Sequence, residues 1–92
     1  MEKTGRVFAD MKGLSSKEIE RMEKVFSEIE ILEDCEVVTL AQSYFSDSKT
    51  FFENGEYVNA FEAIVISWAY VDSLLHFGKA RIPDELRSLF TV

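Results

Sequence analysis

A single cysteine, Cys35, excludes an internal disulfide, and its neighbours Asp34 and Glu36 carry charges that disfavour a reactive thiolate. The four glycines stand isolated at positions 5, 13, 55 and 78, so no Gly-rich phosphate loop is present. Long apolar runs are also missing. The longest, Ala63 to Val71, is interrupted by Ser67 and followed by Asp72, far short of the roughly 20 residues of a membrane span. No apolar core follows the charges of Met1 to Lys12, which argues against a secretory signal. With neither a disulfide requirement nor an export signal, the reducing cytoplasm is the expected compartment. Basic residues are scarce too: 10 against 17 acids give a net charge of −7. Such a surface repels nucleic-acid phosphates and anionic lipid headgroups and favours basic partners, so neither nucleic acid nor membrane is expected as a partner. The same charge also serves simply to keep a protein in solution.

What remains is a chain of 92 residues, 47% hydrophobic and 29% charged. This length and balance describe one folded domain over 1–92, able to bury roughly two thirds of the surface its unfolded form exposes. Its apolar residues recur at helical spacing. Ser15 and Glu18 have the separation of a capping box, after a break at Gly13 and Leu14. Ile19, Met22, Phe26 and Ile29 then recur at steps of three and four, widened by Val25 and Leu32. The spacing predicts a helix over 16–33 that packs against two neighbours. After a turn at Glu33 to Glu36, with Asp34 as a helix start, Val37, Leu40, Ala41, Tyr44, Ser48, Phe51 and Phe52 mark a second helix over 36–53. Asn54-Gly55 ends it. A third helix over 57–77 has the widest apolar face, from Tyr57 through Ala60, Phe61, Ile64, Trp68 and Val71 to Leu75, and closes at Gly78. Pro83 then allows a short helix over 84–90, with Leu86, Leu89 and Phe90 on one side. Val7, Phe8 and Met11 belong to a segment too short to hold a helix alone. No run alternates as a strand does. The expected architecture is all-α: an up-and-down three-helix bundle with short terminal appendages.

The runs Tyr44-Phe45-Ser46-Asp47-Ser48-Lys49 and Phe51-Phe52-Glu53-Asn54-Gly55-Glu56-Tyr57-Val58-Asn59-Ala60, followed by Ala63, Trp68, Asp72 and Gly78, resemble a small archaeal domain family of unknown function. The resemblance covers about 15–80. It implies an up-and-down three-helix bundle in a cytoplasmic archaeal protein, sometimes attached to nucleotidyltransferase-like or other domains, with no accepted activity. The residues that carry it are packing and turn residues and say nothing about chemistry. The Gly55-Glu56-Tyr57 turn followed by Ala60 also resembles half of a tetratricopeptide hairpin, but a repeat solenoid needs about three such units.

Catalytic arrangements are sparse. Asp72 and His76 are four residues apart on one helical face, a candidate acid/base pair or partial metal site. The paired Glu-x-x-His pattern of carboxylate bundles is missing, and a structural role for both residues is the simpler reading. Cys35 has no histidine near it in sequence, and Val71 stands where a helical toxin-type ribonuclease carries arginine before its histidine. Neither a cofactor nor a metal is expected. The aromatics, eight Phe, three Tyr and one Trp, are more informative. Most fill a core, but three helices cannot hide every apolar face of the third. A non-catalytic interaction or assembly module is therefore the leading expectation, binding a protein partner or a second copy through helices two and three. Tyr44, Phe52, Tyr70 and Phe77, at the margins of their faces, are its candidate contacts. A small enzyme or ligand-binding domain around Asp72 and His76 is the alternative.

Overall fold

In the computed structural model the described residues are 2–90, with side chains from residue 10 onward. Three long helices, α1 (Glu2–Glu28), α2 (Glu36–Glu53) and α3 (Tyr57–His76), form an all-α three-helix bundle. Two short strands, β1 (Glu30–Ile31) and β2 (Ala80–Arg81), and a terminal 3-10 helix (Asp84–Leu89) complete the order.

The hairpin of α2 and α3 has the boundaries that its sequence predicts, because its turn residues have conformations that only suitable side chains tolerate. Gly55 and Gly78 adopt φ of 77° and 70°, the left-handed region in which a Cβ is strained. Helix α1 departs from expectation at both ends. Ser15 is not a cap: it lies within the helix, fully buried, and its hydroxyl donates to the carbonyls of Met11 at 2.7 Å and Lys12 at 3.2 Å. Satisfied in this way, a serine does not stop a helix. Met11, Ser15, Ile19 and Met22 then share one seam, so the segment around Met11 continues the helix instead of standing apart. At the other end α1 stops at Glu28, because Ile29 to Ile31 turn extended. Glu30 pairs with Arg81 and Ile31 with Ala80 in an antiparallel ladder. Cys35, and not Asp34, is the residue before α2, and it makes no side-chain cap bond.

The main core joins Ile19, Met22 and Val25 of α1, Ala41 of α2, Ile64 and Val71 of α3, and Leu86 of the 3-10 helix. Phe26 and Phe45 stack against it with ring centroids 5.0 Å apart. A second cluster, Val38, Leu74 and Ala80, lies beneath the strands. Helix α3 is long and apolar enough to cross a membrane by length and composition alone. In the fold it makes the most extensive contacts with the other two helices: Ala60, Ile64, Ser67, Val71 and Leu74 are buried, and the Ser67 hydroxyl donates to the carbonyl of Ala41 at 2.7 Å.

The short strands form a clasp across the chain. Leu32 and Glu33 both donate their amides to the Lys79 carbonyl, at 2.9 and 3.1 Å. Ion pairs Lys79–Glu33 at 3.0 Å and Arg81–Glu30 at 3.2 Å flank them. The hydrogen bond and charge of Glu33 hold the Lys79 ammonium above its usual 10.5. A lysine whose pKa is raised by folding contributes stability below its unfolded pKa and loses it as pH rises through the folded value. The Tm difference between wild type and Lys79→Met should therefore be constant through neutral pH and shrink at pH above 10.5, as read by circular dichroism melts. The glycines supply a test with opposite signs. A Cβ at Gly13 meets nothing within 4 Å, and its backbone is helical. Gly13→Ala should stabilise by about 0.5–1 kcal/mol, whereas Gly55→Ala should destabilise by about 1–2 kcal/mol, both measured by urea denaturation.

Candidate interaction surfaces

Two helices cannot cover every side of α3, and Val58, Val65 and Ile66 remain exposed on it. Two concavities border this uncovered surface. The larger, about 420 Å³, lies between α1, α3 and the C-terminal segment. Leu14 and Glu18 contribute from α1, Phe61, Val65, Trp68, Ala69 and Asp72 from α3, and Leu89 and Phe90 from the tail. Phe90 packs on Trp68 with centroids 4.8 Å apart. The indole Nε1 of Trp68 is shielded from solvent and finds no acceptor among the described residues, a situation that costs about 1–3 kcal/mol. Glu18 is held by Arg21 at 3.0 Å. The lining is thus mainly hydrocarbon and aromatic, with two carboxylates.

The second concavity, about 260 Å³, is a groove between α2 and α3 on another side of α3. Tyr44, Asp47 and Phe51, at steps of three and four, form one wall; Asn59, Glu62, Ala63 and Ile66 form the other. Beside it Tyr44 stacks on Tyr70, centroids 5.9 Å apart and planes 28° apart.

The four aromatic candidates do not form one patch. Tyr44 and Tyr70 meet at this groove. Phe52 packs edge-on against Tyr57 at 5.1 Å and also contacts the core. Phe77 stands 71% exposed just beyond α3, with its ring against that of His76. Asp72 lines the large cleft, while His76 is exposed at the end of the helix and does not line it. Among the described residues no three His, Cys, Asp or Glu side chains gather in a way that could hold a metal. Leu14 and Glu18, four apart, were hidden from sequence reasoning by the misplaced start of α1. Once that helix is continuous, the same spacing puts them on one face. The surplus on α3 together with Leu89 and Phe90 was the available signal for the cleft.

A family model described as a protein of unknown function, DUF357, matches residues 14–80. The chain belongs to the DUF357 family. A crystal structure of a DUF357 protein from Archaeoglobus fulgidus superimposes with a TM-score of 0.75 at 32% sequence identity, over 84% of this chain and 99% of that one. No curated protein matches. The DUF357 match contains all of the α2–α3 groove, whereas Leu89 and Phe90 of the cleft lie beyond it.

The different settings of two phenylalanines give a direct test of which aromatics are structural. Phe77→Ala should change stability by less than about 0.5 kcal/mol, while Phe45→Ala, which removes the ring stacked on Phe26, should cost about 3–5 kcal/mol in urea denaturation.

Proposed function

We propose that this DUF357 domain is a non-catalytic protein-interaction module, whose main docking site is the cleft between α1, α3 and the C-terminal segment. The observation that carries this reading is the cleft lining: Leu14, Phe61, Val65, Trp68, Leu89 and Phe90 make an open, largely apolar concavity of about 420 Å³. Such a surface gains free energy by shedding water onto an apolar side chain of a partner. Trp68 adds a rigid aromatic wall of the kind that anchors interfaces. The occupant is an apolar segment of another protein. A second copy of the domain would bring together two molecules of net charge −7, which opposes self-association. A cytoplasmic, archaeal setting fits this reading, supported by the Archaeoglobus relative, by the free thiol of Cys35 and by the acidic surface.

The test uses Nile red, an uncharged apolar probe, with light scattering coupled to size exclusion. Wild type should bind the dye and remain a monomer at all concentrations. Val65→Glu, at a 45% exposed position in the cleft wall, should fold normally and lose most of the dye signal. Dye binding that survives Val65→Glu would move the site elsewhere. A concentration-dependent dimer abolished by the same substitution would make the cleft a self-association surface.

A further inference from the structure

We infer that the α2–α3 groove is a second docking surface, and that its occupant is a helical segment of another protein bearing lysine or arginine beside aliphatic residues. The inference shares no residue with the cleft and stands independently of it. Its first support is shape. A groove between neighbouring helices, walled by Tyr44 and Phe51 on one side and Ile66 on the other, accepts the apolar stripe of a further helix.

The second support is charge. Helix α3 contains no lysine or arginine, and α2 has only Lys49. That ammonium lies 3.9 Å from Glu23 of α1 and over the ring of Phe45, so it serves the side that faces α1. Asp47 and Glu62 make no ion pair among the described residues, as is also true of Glu20, Glu36, Glu53 and Glu85; what sets the two apart is that they line a groove walled by Tyr44, Phe51 and Ile66. The groove therefore sets uncompensated carboxylates beside aromatic faces. A basic side chain entering it gains a charge-assisted hydrogen bond together with a ring contact. Nucleic acid, anionic lipid and a second copy of this acidic domain are all repelled by the same carboxylates.

The probe is a synthetic helical peptide of about 16 residues, leucine on one face and lysine at its margins, with a twin carrying glutamate for lysine. Titrated into the 15N-labelled full chain, the lysine peptide should shift amides over 44–51 and 59–66, and the twin should not. Affinity should fall about tenfold in Asp47→Asn/Glu62→Gln, and also on raising salt from about 0.05 to 0.3 M. Asp47→Lys/Glu62→Lys should reverse the preference between the peptides. Shifts centred on Leu14, Val65 and Trp68, equal binding of the twin, or affinity unchanged in the amide variant would each overturn the inference. Nile red binding by the amide variant reports the cleft separately, so the failure of either surface is distinguishable from the failure of the other.

Discussion

Close approach of α2 and α3 is the constraint to which the other elements of the bundle adjust. Ala41, Ser48, Ala60, Ala63 and Ser67 are all buried, and small side chains in such positions let helix backbones come near one another. At that distance the Ser67 hydroxyl reaches the Ala41 carbonyl across the interface, giving a buried polar group its partner without a larger side chain. Bulk excluded from the centre of the interface has to go to its margins. Phe45 and Phe52 go toward α1 and the core, whereas Tyr44, Phe51 and Tyr70 are left beside the open groove. The apolar surplus of the chain is thus a geometric result of a tightly spaced hairpin.

The legible parts of the fold were those with a local physical cause. Gly55 and Gly78 mark helix ends because the backbone there needs positive φ, and that need is visible in residue type alone. Ser15 misled because the same hydroxyl that caps a helix also bonds back to the turn before it. Which of the two occurs depends on whether the chain before it is helical, as it is here from Glu2 onward. The pairing of Glu30–Ile31 with Ala80–Arg81 was illegible, since two-residue strands have no periodicity and their partners are about fifty positions apart. Of the candidate site, the residue types were readable but the grouping was not. Tyr44 and Tyr70 meet only because α1 covers a different side of the hairpin, and the cleft acquires its wall only when the tail folds back to place Phe90 on Trp68.

The two concavities differ in chemistry as well as position. The cleft is a mainly apolar surface, and one of its two carboxylates, Glu18, is already paired to Arg21, an arrangement suited to excluding water. The groove combines aromatic edges with carboxylates that the fold leaves uncompensated, suited to attracting charge from a distance and orienting it at contact. A domain of this size can thereby present two distinguishable concavities on different sides of one central helix.

The clasp between β1 and β2 has a consequence for the order in which the chain opens and closes. Contacts within the α2–α3 hairpin are bridged by a turn of three residues, so they form at little loop-closure cost. The clasp joins residues 30 and 81, and closing it encloses the whole hairpin. Its flanking ion pairs are solvent-exposed and add little to hold it. The amides of Leu32 and Glu33 should therefore exchange with solvent through local openings long before those of α2 and α3, making the clasp the seam at which the native state first comes apart.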